Sequence, residues 1–189
     1  VDVALRKLMS RDDFLAWEAR QELRYEFDGV RPIAMTGRTA EHSAIQRNLI
    51  AALTNRLRGK PCRAHVSELK IVVAGSIRYP DAFVVCSPVT CGATVIIDPT
   101  VVFEILSERT GDTDRIVKSQ EYRDTSSIQR YIMLEQVRQA AVVFVRRGED
   151  WSGRVVADDV MLDMPEIGIE VRLAELYEGV AFPEEASEA

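Results

Sequence analysis

Val101-Val-Phe-Glu-Ile-Leu106 is apolar at five of six positions and long enough to form a central strand, yet it carries a carboxylate at Glu104. A bare ionised carboxylate in such a strand costs on the order of several kcal/mol, or shifts its pKa. Glu104 is therefore paired, bound to a metal, or turned to solvent at a strand edge, and the run alone leaves all three open. Upstream, Tyr79-Pro80-Asp81 stands at the mouth of a second apolar run, Ala82-Phe-Val-Val-Cys86. Pro-Asp before a strand is an ordinary turn by itself. Beside Glu104 it gains a second meaning. One acid at the mouth of a strand and another within a neighbouring buried strand can hold Mg²⁺ through two carboxylates and water.

Downstream, Thr113 to Asp124 reads as a polar helix with Ile116, Val117 and Tyr122 as its apolar residues. Asp114, Lys118 and Tyr122 fall at i, i+4 and i+8 on one face. The plain account is an Asp–Lys pair worth about 0.2–0.5 kcal/mol. The functional one aims the Lys118 ammonium over the preceding strand, where it orients a water or offsets charge on a phosphate. Upstream, Ser10 and Asp13 form a capping-box variant that opens a helix from Arg11 to Arg20. Leu23 to Gly29 and Val30 to Thr36 form a hairpin turning at Asp28-Gly29. Thr39 caps a helix whose stripe is Ile45, Leu49, Ala52, Leu53 and Leu57, closed by Gly59 and Pro61.

Further strands are expected over 63–67, 69–74, 82–86, 100–106, 131–134 and 140–145, with weaker ones near 151–156 and 160–162. Val171 to Tyr177 reads as a closing helix. Helix, hairpin, helix, strands, helix, strands is the order of an α/β (α+β) domain, expected over residues 1–182 with an acidic, frayed tail at 183–189.

Composition narrows the function. The 189 residues are 47% apolar and 29% charged, ordinary globular usage. With 24 Lys+Arg against 30 Asp+Glu, the net charge of −6 argues against coating nucleic acid by bulk electrostatics. A nuclease whose metal supplies local positive charge is not excluded. No stretch approaches the ~20 apolar residues of a membrane span, and Val1 to Lys7 show no secretory signal core. Cys62, Cys86 and Cys91 are odd in number and lack a CxxC pair, so they read as reduced thiols of a cytoplasmic protein. With two histidines in the chain, a metal site would be built of carboxylates and would favour Mg²⁺ or Mn²⁺. His42 reads as a capping or packing residue rather than a general base.

Taken in order, Tyr25-Glu-Phe-Asp-Gly29, Glu41-His42, Tyr79-Pro80-Asp81, Phe103-Glu-Ile-Leu-Ser107, Lys118-Ser-Gln-Glu-Tyr122 and Ile128 to Gln136 span most of the chain. This series resembles the Uma-type family of restriction endonuclease-like proteins, a domain of unknown function within the metal-dependent PD-(D/E)XK nuclease superfamily. The resemblance implies a restriction-endonuclease-like mixed central sheet flanked by helices, with an N-terminal helix and hairpin. It implies Mg²⁺ (Mn²⁺ as substitute) held by Asp81, Glu104 and the Ile105 carbonyl. Lys118 would be the catalytic lysine, Glu26 a third acid binding the metal or a water near it, and DNA the substrate. Two departures stand out. The superfamily's lysine lies two residues after the acid, a position held here by Leu106, so the resemblance implies its relocation to Lys118. Glu68-Leu69-Lys70 has the E-x-K spelling but precedes Asp81, the wrong order. Ser107 is followed by Glu108 where the family commonly has proline.

The sequence thus points to Mg²⁺-dependent hydrolysis of DNA phosphodiesters, with a homodimer expected by analogy of fold. The alternatives are an inactive nuclease-fold module used for binding or assembly, and another metal-dependent phosphoesterase. No basic cluster marks a docking path. The nearest positive residues are Arg78, Arg109, Arg115, Lys118 and Arg123.

Overall fold

The computed structural model describes residues 9–35, 37–106 and 112–182, with the backbone alone at 112–115. Ser10 caps α1 (Arg11–Glu18): its hydroxyl accepts from the Asp13 N–H at 3.1 Å, and the Asp13 carboxylate accepts from the Ser10 backbone. Phe14 anchors this helix by stacking at 5.0 Å on Phe27 of β1 (Tyr25–Phe27). The chain turns over Asp28–Arg31 into β2 (Pro32–Ala34). There Asp28 Oδ1 accepts from the Val30 and Arg31 N–H groups at 2.9 and 2.8 Å, and Gly29 supplies φ +87°. The second helix, α2 (Ala40–Leu57), is capped by Thr39 and buries Ile45, Leu49, Ala52, Leu53 and Leu57, the stripe read from the sequence.

The remaining elements are β3 (Arg63–Val66), β4 (Lys70–Val73), β5 (Ser76–Arg78), β6 (Ala82–Val85), β7 (Val95–Ile96), β8 (Val101–Leu106), α3 (Asp112–Asp124), β9 (Arg130–Glu135), β10 (Ala140–Arg147), β11 (Asp150–Ala157), β12 (Met161–Met164), β13 (Ile169–Arg172) and α4 (Leu173–Leu176). Among the described residues they form a six-stranded sheet in the order β11-β10-β9-β8-β6-β3, a smaller sheet β2-β1-β5-β4-β7, and a β12–β13 ribbon. In the large sheet β8 and β9 are parallel, and α3 lies in the connection between them. No described helix is long and apolar enough to cross a membrane.

Alternation sorts the large sheet into two cores. Ala82, Val84, Val101, Phe103, Ile105, Ile132 and Leu134 pack towards α2, the β12–β13 ribbon and α4. Phe83, Val85, Val102, Leu106, Tyr131 and Met133 pack the other way, against Tyr122 of α3 and against Ile71 and Val73 of the smaller sheet. Both faces are covered, which is why β8 reads as a nearly unbroken apolar run.

Four sequence expectations change. Cys62 and Cys86 are joined in a disulfide, so the expectation of three reduced thiols is corrected, and only Cys91 is free and exposed. The cause is register. Arg63 pairs with Val85 across β3 and β6, which sets the residues just beyond each, Cys62 and Cys86, opposite one another with Cα atoms 3.9 Å apart. This withdraws the thiol argument for a cytoplasmic setting. Val171 to Tyr177 is not one helix: β13 runs to Arg172 and α4 adds a single turn. The runs 63–67 and 69–74 enter different sheets, as β3 and β4. Finally, β5 is a strand beyond those the sequence pattern predicts. Ala74 and Gly75, at φ +45° and +88°, make a two-residue left-handed turn that returns the chain from Val73 to Ser76.

Candidate functional site

Ala82 of β6 pairs with Phe103 of β8, so one step further along the register sets Asp81 opposite Glu104 on the same face. Asp81 is 0% exposed. Its Oδ2 accepts from the Ile105 backbone N–H at 2.7 Å and lies 3.1 Å from His42 Nε2. Its Oδ1 touches the Arg38 guanidinium, yet this buried oxygen has no hydrogen bond among the described residues. His42 sits in the first turn of α2, where its own N–H is held by the Thr39 hydroxyl at 3.2 Å. Its Nδ1 is also buried without a partner among the described residues.

Glu104 is buried, and its Oε1 accepts the Tyr122 hydroxyl at 2.6 Å. Burial pushes its pKa from 4.5 up to about 7; the charges of Asp81 and Glu26 add to that rise, while Lys118 and the Tyr122 hydrogen bond oppose it. Near neutrality this carboxyl therefore shares its time between the protonated and ionised forms.

Glu26 on β1 supplies the third acid. Its Oε1 accepts from the Tyr79 N–H and from Lys118 Nζ, both at 3.1 Å. Its Oε2 lies 3.2 Å from Arg78 Nη1 and 2.9 Å from Lys118 Nζ. Glu26 therefore holds Lys118 in place and fixes the strand that leads into Pro80-Asp81. Arg78 is buried too, and its Nε and Nη2 bond the two oxygens of Glu121 at 2.7 and 2.8 Å. It is a structural cation, with no freedom to meet a ligand. Arg123 is likewise engaged, with the Ser119 carbonyl and the face of Phe144.

The structure brings Asp81, Glu104, Glu26 and Lys118 to one locality. Asp81 opposes Glu104, and Lys118, Asp81 and Glu26 all act on the Glu104 charge. Leu106, two residues after Glu104, is a buried core residue packed with Tyr122. Ser107, Glu108 and Arg109 lie outside the described residues, as do the side chains of Asp114 and Arg115. Lys70 of the decoy E-x-K pairs with Glu18 of α1, whose other oxygen accepts the Tyr79 hydroxyl at 2.8 Å. Arg38 is the residue that sequence reasoning missed. Its i, i+4 spacing to His42 is visible in the sequence, but their shared target, Asp81, is 39 residues beyond His42.

The groups that fit a cation here are all oxygens, and Asp81 Oδ1, buried and without a hydrogen bond among the described residues, already has the Arg38 guanidinium as its charge partner. Such a set suits a hard divalent ion. Among the described residues no three His, Cys, Asp or Glu side chains lie close enough to hold a metal together. Any ion would therefore rely on two carboxylates, a backbone carbonyl such as that of Ile105, and water.

Comparison with known proteins bears on this arrangement. The model of the Uma2 family, described as "Putative restriction endonuclease", matches residues 11–174. The uncharacterized protein slr1290 of Synechocystis sp. is 29% identical over 178 residues, covering 92% of this chain and 94% of its own length. A second Synechocystis protein, the uncharacterized sll1609, is 24% identical over 139 residues, 71% of this chain and 78% of that one. Among solved structures, that of a "putative nuclease belonging to DUF820" from Anabaena variabilis matches with a TM-score of 0.74 at 20% identity. It covers 90% of this chain and 98% of its own. This likeness shows that the two share a fold.

Proposed function

The chain belongs to the Uma2 family, and from that premise we propose that it is a divalent-metal-dependent endonuclease that hydrolyses DNA phosphodiester bonds. The observation that carries this reading is the opposition of two buried carboxylates, Asp81 and Glu104, across the β6–β8 pair. Structural ion pairs do not need two acids face to face, and a cation between them offsets their repulsion.

Asp81, Glu104 and the Ile105 carbonyl would hold Mg²⁺, or Mn²⁺ in its place. When bound, the ion supplies an acidified water and neutralises charge gathering on the phosphate. The protein's own residues do the rest. Lys118, held by Glu26, presents its ammonium to the attacking water and to the developing negative charge. The Ile105 N–H and His42 fix the rotamer of Asp81, and the Tyr122 hydroxyl fixes that of Glu104. Glu26, with both oxygens already accepting, acts on Lys118 rather than as a direct ligand. Two copies acting together would let one site meet each strand.

The test is cleavage of plasmid and single-stranded DNA with Mg²⁺ or Mn²⁺. Activity should fall at least a hundredfold in Asp81→Asn, Glu104→Gln and Lys118→Met. Cleavage persisting undiminished in both carboxylate variants overturns the proposal. A second reading, an inactive module that keeps the fold for binding or assembly, draws on Leu106 in place of the superfamily's lysine. It predicts no rise in melting temperature on adding divalent metal, whereas a true site predicts one.

A further inference from the structure

The large sheet ends in β11, and nothing among the described residues pairs with the outer edge of that strand. It runs for eight residues, Asp150-Trp-Ser-Gly-Arg-Val-Val-Ala157, and is largely exposed, with Val155 at 70%. Proteins usually blunt edges of this length with lysines, a proline or a bulge. β11 pairs without interruption from Asp150 to Ala157, contains no proline, and carries two charges of opposite sign, Asp150 and Arg154, which do not repel a second copy.

The hydrogen-bond phase of the edge follows from its neighbours. The Arg146 N–H donates to the Gln129 carbonyl at 2.9 Å, so the even-numbered residues of β10 face β9 and the odd-numbered ones face β11. Through Arg147↔Asp150, Val145↔Ser152 and Val143↔Arg154, the backbones of Asp150, Ser152 and Arg154 are turned towards β10. Those of Trp151, Gly153 and Val155 point outward. When an antiparallel strand meets its own copy, a two-fold axis through Ser152 sets Trp151 against the partner's Gly153 in hydrogen-bonded positions. It also sets Asp150 against the partner's Arg154 in the closer, non-hydrogen-bonded positions, twice over. An axis through Gly153 instead leaves Asp150 opposite the partner's Val156, and both ion pairs are lost.

An aromatic row gives the same register independent support. Tyr131, Phe144 and Gly153 lie side by side across β9, β10 and β11. The Phe144 ring stands 6.1 Å from that of Tyr131 and 2.8 Å from where a Cβ at position 153 would lie. The partner's Trp151 is next in that row.

We propose that two copies of this chain join edge to edge through β11, with the axis at Ser152, making one twelve-stranded sheet. This names the surface of the homodimer and rests on that part of the proposed function. The axis is perpendicular to the sheet, so the two Glu104 residues open on the same face. They lie seven strand spacings apart across the sheet, roughly 34 Å, and, because Glu104 is in register with Val155, six residues apart along the strands, roughly 20 Å, before twist.

Light scattering at micromolar concentration should find a dimer. Asp150→Arg and Arg154→Asp should each weaken it at least tenfold, and the double exchange should restore it. In a Cys91→Ser background, Ser152→Cys should form an intermolecular disulfide on mild oxidation, because its pairing position suits the bond. A wild-type protein that stays monomeric at roughly 100 μM, where an interface with a micromolar dissociation constant would be assembled, overturns this surface and the homodimer together. A dimer in which Ser152→Cys does not cross-link and the exchanges have no effect overturns the surface alone.

Discussion

At the scale of single residues, two groups make the site measurable without any substrate. Glu104 has its pKa raised to about 7 in the folded state, against 4.5 when free. Its proton is therefore held more tightly by the folded chain, and the stability this gives is complete below about pH 4.5 and is lost as pH rises through about 7. By pH 8 the ionised carboxylate costs on the order of 3 kcal/mol in the metal-free protein. Glu104→Gln, which keeps the acceptor for Tyr122, should melt higher than wild type at pH 8 in EDTA and close to it at pH 4.5, as a thermal melt across that range would record. Arg38 is the second group. It touches the Asp81 oxygen that lacks a hydrogen bond, while the other oxygen is engaged by Ile105 and His42. A divalent ion bound at Asp81 would have to compete with it. Arg38→Gln should tighten Mn²⁺ binding by roughly fivefold, about 1 kcal/mol, read by calorimetry; an unchanged affinity would show that the guanidinium does not occupy the ion's position. Glu104 was legible from sequence because a carboxylate in an apolar run is a local anomaly. Arg38 was not, because its meaning depends on Asp81, which only the folded chain brings near.

Elements show the same division between local and distant information. The α2 stripe and the Asp28 turn need only neighbours a few residues away, and both were readable. β5 was hidden because it is three residues long and ends in a buried arginine, whose charge argues against a core strand until Glu26 and Glu121 arrive to pair with it. The disulfide needed the β3–β6 register, which linear spacing cannot supply. Its closure of a segment 24 residues apart in sequence should stabilise the protein by about 2–4 kcal/mol. Cys62→Ala with Cys86→Ala should lower the urea midpoint accordingly, and a thiol count on the unreduced protein should find Cys91 alone. Gly153 carries a smaller prediction. An alanine there would push into the Phe144 ring, costing about 1–3 kcal/mol by overpacking, a loss that denaturant titration would detect.

Over the whole molecule, the net charge of −6 acquires a location. The buried acids Asp81, Glu104, Glu26 and Glu18 are matched by Arg38, Arg78, Lys70 and Lys118, so the excess of acid lies mainly outside this cluster. Among the described residues, Lys118 is the cation near the site that would meet phosphate, and Glu26 already holds it. DNA binding in EDTA should accordingly be weak and should fall with rising salt, then strengthen when Ca²⁺ or Mg²⁺ is added; fluorescence anisotropy at several salt concentrations would record both trends. Trp17 and Trp151, the chain's two tryptophans, stand in different sheets' surroundings. Trp17 packs edge-on against Tyr25, while Trp151 lies on β11 with its indole over Arg146 and its N–H donating to the Arg123 carbonyl. The protein thus carries its own optical label at the edge strand. With Trp17 replaced by phenylalanine, the emission of Trp151 would shift to the blue as concentration rises if strands meet there, and would stay constant if they do not.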